Sequence, residues 1–252
     1  MLKSVAGRPV PFNPLRLPSL PIRSRRVGLR TIPSIGGKAP VCPFEFYDGW
    51  ETADFSKWST SVESPYDIIT SPTHHGDYAA KGKISAGALK NTMVGTPSDY
   101  YIRLYFRLTG TTPTGGSSAP FIKTMTVGNV DILDVYMITG GAGGGPGVGG
   151  PRFELMDLID GAWADGTTTL VADKWYCVEI LCQGDNASAV QKLWLDGTLE
   201  VSINPDVSGR VNNYFLMYSV TWGAPYTGRN IIDCLISDPT RPTCVYYPAC
   251  GV

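Results

Sequence analysis

Residues 100–108, YYIRLYFRL, set Tyr101, Arg103, Tyr105 and Arg107 at every second position. On extended chain that alternation lines phenol and guanidinium along one face, with Ile102, Leu104, Phe106 and Leu108 on the other. Two chemistries use such a row. Aromatic faces stack on sugar rings while Arg holds hydroxyls or acids, which makes a glycan site. A Tyr base beside Arg groups that steady a uronate carboxylate and its developing enolate is the equipment of a polysaccharide lyase. A solvent-facing strand whose long side chains cover apolar neighbours has the same pattern. We take the four as candidate glycan-binding residues and assign no catalytic residue.

Other reactive types are less well placed. Glu154, Asp157 and Asp160 lie in RFELMDLID. On a strand, Asp157 points away from the other two, and Glu154 and Asp160 stand roughly 20 Å apart. A hydrolase pair needs about 5–5.5 Å for retention or about 6.5–9.5 Å for inversion. These acids therefore read as solvated, although carboxylates brought in from other strands stay open. His74 and His75 are adjacent before Gly76; as extended-chain neighbours they point apart and make a poor metal pair. Six cysteines at 42, 177, 182, 234, 244 and 250 show no C-x-x-C spacing. Cys177 and Cys182 have opposite parity on one strand, so they cannot bridge each other. Cys42 with Cys244 or Cys250 would join the ends of the domain, among 15 possible connectivities for six cysteines. The sequence has no G-x-S-x-G, and GGAGGGPGVGGP at 140–151 lacks the following helix and Lys of a phosphate loop.

Short β-runs must position these groups. They are expected at 100–108, 121–127, 130–138, 152–159, 174–182, 190–195, 198–203, 213–221 and 230–237, broken by Gly, Pro, Asn and Asp. Asp196-Gly197 between VQKLWL and TLEVSI signals a two-residue hairpin turn. No stretch holds a helical period, so the domain is expected to be all-β, two antiparallel sheets face to face.

Charge separates a second region. Residues 1–40 carry Lys3, Arg8, Arg16, Arg23, Arg25, Arg26, Arg30 and Lys38 with no acid, while the rest has 13 basic and 22 acidic residues. Seven prolines over the same stretch forbid helix and favour extended chain. We expect residues 1–43 to form a basic arm for a partner protein, an anionic surface or, less aptly, nucleic acid. The start lacks the apolar segment of a secretory signal, and nowhere do about 18 apolar residues run together to span a membrane. Asn186-Ala-Ser is a glycosylation sequon.

FYDGWETADFSKWST at 46–60 resembles the opening strand of concanavalin A-like jelly-roll domains. HHGDYAAKGKI, ADKWYCVEI, LWLDGTLE and NIIDCLIS resemble its later strands in order. The resemblance covers about 44–238 and implies a concanavalin A-like β-sandwich, a fold shared by lectins, laminin G-like domains, glucanases, lyases and structural domains. It also implies a Ca²⁺ where first and last strands meet, with Asp48, Glu51 and Asp233 as ligands. The lyase strands of the family, Arg-x-Glu-x-Arg and Gln-Ile-His, are absent. Phe46, Trp50, Phe55 and Trp58 read as core.

Taken together, the expectation is an arm (1–43), a jelly-roll sandwich (44–238) and a Cys/Pro-containing tail (239–252). Its role is expected to be structural and non-catalytic: a surface component of a larger assembly, such as a virion decoration, spike or tail protein, with Arg8, Arg16, Arg23, Arg25, Arg26 and Arg30 attaching it. A carbohydrate-binding module, extracellular or on a surface, is the alternative, and a polysaccharide lyase or glycoside hydrolase a further one.

Overall fold

The computed structural model describes residues 45–61, 65–84, 87–140, 149–159, 161–222 and 225–241. The arm, with its six arginines, and Cys42, Asp160, Cys244 and Cys250 lie outside them. Within them the chain forms β1 (Phe46–Asp48), β2 (Thr60–Ser61), β3 (Tyr66–Ile69), β4 (Ala79–Gly82), β5 (Ala88–Thr92), β6 (Asp99–Thr109), β7 (Ser117–Met125) and β8 (Asp131–Thr139). It continues through β9 (Arg152–Met156), β10 (Trp163–Asp165), β11 (Trp175–Gln183), β12 (Gln191–Leu195), β13 (Thr198–Ile203), β14 (Tyr214–Tyr218) and β15 (Arg229–Asp238). No helix occurs among the described residues.

The strands make two antiparallel sheets. The first runs β13-β12-β11-β6-β15-β4-β3 with β1 also on β15, and the second runs β10-β9-β8-β7-β14-β5-β2. Long β6 sits at the centre of the first because its alternation was the cleanest in the chain: Ile102, Leu104, Phe106 and Leu108 are buried in the core. Across the sandwich Phe106 meets Phe121 and Phe153 edge-on at 5.3 and 5.2 Å. The geometry suits the ring quadrupoles and locks β6 of one sheet to β7 and β9 of the other. Trp58 packs between Phe46 and Phe215 at 5.2 and 5.8 Å, and Trp50 is fully buried. Phe55 is partly buried against the same core. The opening aromatics are therefore scaffold.

Asp196 and Gly197 take φ of 50° and 81°, the left-handed pair that the hairpin turn requires. The expected run 152–159 ends instead at Met156, because Asp157 turns the chain by accepting the Ile159 amide at 2.9 Å, and β10 follows beyond it. Glu154 and Asp157 are buried, not solvated. Glu154 stands in register between Tyr136 on β8 and Asp165 on β10, where flanking strands shield it from water.

Candidate functional site

Each sheet has an outer face, and the two differ. On the first sheet, Tyr101, Arg103, Tyr105 and Arg107 do share one face of β6, directly opposite Leu181, Glu179, Cys177 and Trp175 of β11. The middle of this face is sealed. Arg103, Asp233 and Ile236 are fully buried, and Glu179 and Cys177 nearly so. Glu179 is held by Arg241 at 2.6 Å, whose guanidinium lies 4.0 Å from the Trp194 ring centre. Arg103 donates to the Tyr105 hydroxyl at 2.8 Å. Tyr101, Tyr105 and Arg107 keep partial exposure. Cys177 is disulfide-bonded, whereas Cys182 and Cys234 are free thiols. Cys182 points into the core against Thr124, so the two cysteines of β11 do face opposite ways.

The turn before β4 covers Tyr105. His74 lies flat on its ring, centroids 3.5 Å apart. The two histidines do not point apart: their Nδ1 atoms are 2.6 Å from one another. The extended-chain expectation fails because the backbone bends here, both amides donating to Asp233 Oδ2 at 2.7 and 2.9 Å. Burial, then His75 and Arg103, lowers His74 to about 4, so its imidazole is neutral. Burial raises the Asp233 carboxyl to about 6 against the hydrogen bonds that favour its charge.

Asp48, Glu51 and Asp233, the carboxylates expected at a Ca²⁺, each accept hydrogen bonds from protein donors. Asp48 accepts the Trp50 amide and the Trp58 indole, each at 2.8 Å, with the Lys57 ammonium at 3.6 Å. Glu51 accepts the Asp77 amide at 3.1 Å and the Tyr78 amide at 3.4 Å. Among the described residues no three His, Cys, Asp or Glu side chains gather as a metal site.

The second sheet's outer face is open. Register aligns Lys90, Leu216, Lys123, Asp134, Met156 and Trp163 in one row across β5, β14, β7, β8, β9 and β10. All but Asp134 reach solvent. At its centre Lys123 lies 2.9 Å from Asp131 and 2.5 Å from Asp134. Burial alone would lower the ammonium, but the two carboxylates outweigh it and raise it. Burial raises Asp134 despite Lys123, and one ammonium between two carboxylates leaves a negative charge in excess. Tyr136 donates to Asp134 at 3.3 Å and meets Trp163 edge-on at 5.3 Å. Partly exposed Tyr218 lies within the field of Lys123, Asp131 and Asp134. Lys90 rests 3.8 Å over the Tyr214 ring, and Arg152 binds Asp165 at 2.6 Å.

This cluster is not visible in the sequence because its members come from six strands, from Lys90 on β5 to Leu216 on β14. The one local trace is alternation in DILDVY, which pairs Asp134 with Tyr136 on one side; it sets Asp131 on the other, and the register shift opposite Thr124 and Met125 changes that.

No protein-family model matches this chain. No curated protein matches it either. Solved structures do. An alginate lyase, as a double mutant in complex with an alginate trisaccharide, superposes with a TM-score of 0.55 at 13% identity, over 79% of this chain and 99% of that one. A second structure of that lyase gives 0.51 at 14%, over 81% and 95%. An alginate lyase of polysaccharide lyase family 7 gives 0.45 at 13%, over 71% and 84%. With its two antiparallel sheets packed as a sandwich, this chain has the concanavalin A-like jelly-roll fold.

Proposed function

We propose that this chain binds carbohydrate, non-catalytically, across the outer face of its second sheet. One observation carries the reading: aromatic and charged side chains stand accessible in register on that face, while in the middle of the matching face of the first sheet Arg103 is buried and His74 covers Tyr105. Aromatic surfaces beside fixed hydrogen-bonding groups are what a sugar ring requires. The fold likeness to a lyase crystallised with an alginate trisaccharide supports the same class of ligand. Catalysis by a phenolate is disfavoured, because burial raises Tyr136, Tyr214 and Tyr218, leaving all three protonated at neutral pH.

The test is retention of the full chain on immobilised polysaccharides, with Trp163→Ala and Tyr136→Ala beside Tyr105→Ala. Binding that is lost in the first two and kept in the third supports this face; the reverse pattern moves the site to β6. Appearance of unsaturated products absorbing in the near ultraviolet would make the protein a lyase.

The finer reading is that this glycan binder sits on a larger assembly, such as a virion surface, held by the arm of residues 1–43. The support is compositional: eight basic residues without an acid face a remainder with a net charge of −9. Comparing native mass with that of a chain starting at residue 41 tests it. Equal masses would remove the anchoring role.

A further inference from the structure

Charge and hydrogen-bond accounting on the second sheet's outer face narrow the ligand further. Its bases are already engaged. Lys123 sits between Asp131 and Asp134, and Arg152 binds Asp165 and the Gly140 carbonyl. Arg210 donates to the Asp131 carbonyl at 2.9 Å, and Lys90 lies on the Tyr214 ring at one end of the row. Four acids, Asp131, Asp134, Glu154 and Asp165, answer these four bases, and both central acids share the one central ammonium. A uronate carboxylate laid along the row would meet Asp131 and Asp134 with no unspent cation between them. Juxtaposed like charges of that kind reject a partner.

The unmet hydrogen-bonding capacity has one sign as well. Asp134 Oδ1 and Asp165 Oδ1 are buried oxygens with no hydrogen-bond partner. Both are acceptors, and Asp165 Oδ1 belongs to a side chain that reaches solvent, so a ligand that meets that carboxylate there must donate. On the first sheet the corresponding buried atoms are Arg103 Nε and Nη1 and Arg107 Nε, which are donors. A buried polar atom without a partner carries a desolvation cost that a bound group can relieve. The Tyr136–Trp163 pair adds apolar ring surface beside the acceptors, at the β8–β10 end of the row.

From this we infer that the face takes a neutral, hydroxyl-rich glycan, whose hydroxyls donate to the Asp165 carboxylate while its C–H faces pack on Tyr136 and Trp163, and that it rejects polyuronates. The inference rests on the glycan-binding reading above. It parts from the fold neighbour, which was crystallised with alginate.

The experiment is affinity electrophoresis of the full chain in gels holding mixed-linkage β-glucan, galactomannan, alginate, pectate or chitosan, each at about 0.05 and about 0.5 M NaCl. The expected result is retardation by a neutral polymer that salt changes by less than about twofold, with no retardation by alginate or pectate. Trp163→Ala, a partly exposed position whose fold is checked by circular dichroism, should weaken neutral binding by about tenfold or more. Asp131→Asn should leave neutral binding within about threefold. It leaves Lys123 paired one-to-one with Asp134, which cancels the excess negative charge without freeing a cation, so alginate should gain no salt-sensitive retardation.

Salt-sensitive binding of alginate or pectate by the unaltered chain would overturn the inference and leave the glycan-binding reading standing. Binding of chitosan alone would overturn it in favour of a cationic amino sugar. Neutral binding indifferent to Trp163→Ala would overturn the placement. Binding to no polymer would remove both readings.

Discussion

His74 lies on Tyr105 at 3.5 Å with 18° between the ring planes, covering the middle of a row that by residue type alone looks open to sugar. Removing the ring should cost about 1 kcal/mol of stacking. The pH behaviour is more informative. His74 is lowered to about 4 from an ordinary 6.5, so its contribution is complete above 6.5 and is lost as pH falls toward 4. Asp233 beneath it is raised from 3.8 to about 6, so its contribution is complete below 3.8 and is lost as pH rises through 6. Between about 4 and 6 the two oppose each other. In His74→Phe, which keeps a ring on Tyr105, only the Asp233 contribution of the two remains. Urea midpoints of that variant should therefore fall less than those of the unaltered chain between pH 6.5 and 4. A larger fall would mean that His74 does not set the acid response.

Asp48 holds the opening strand to the core through the Trp50 amide and the Trp58 indole. Asp48→Ala leaves both donors buried without an acceptor and should destabilise by about 2–5 kcal/mol. Because protein groups already donate to these carboxylates, a chelator should leave the melting temperature unchanged. A drop with EDTA that calcium restores would show an ion at this end of the sheet.

The ring cluster joining the sheets gives a packing prediction. Phe121 is fully buried against Phe106 and Phe153. Phe121→Ala should cost about 3–5 kcal/mol, read from denaturant midpoints at unchanged m-value. A loss below about 1 kcal/mol would mean that the two sheets are joined elsewhere.

Thiol chemistry should report folding. Burial pushes Cys182 up to about 12, and burial with Asp233 raises Cys234 beyond the ordinary thiol range. Neither should react with a maleimide in the native protein, and both should label at the rate of unfolding. Fast native labelling of either would show that its shell opens.

Much of the fold can be read from the chain alone. Alternation in YYIRLYFRL sets β6 and its two faces, and Asp196-Gly197 sets a hairpin, because both signals are local. The short strands β2, β3, β5 and β10 carry too few residues to show a period. The site is harder still. Alternation says that Tyr105 faces outward but is silent on the turn 31 positions earlier that lays His74 over it. Adjacent histidines diverge only where the chain is extended, and the Asp233 carboxylate that bends it here comes from the other end of the sequence. Lys123, Asp134 and Trp163 are likewise unrelated in sequence; register alone lines them up.

That register also sets a length scale. Six side chains in line on strands about 4.8 Å apart extend roughly 24 Å, perpendicular to the strands. A ligand following the row would cross hydrogen-bonded strands instead of running along one. Affinity should therefore climb with oligosaccharide length until the chain reaches from Trp163 to Lys90, and then level off, so that the sheet measures its ligand.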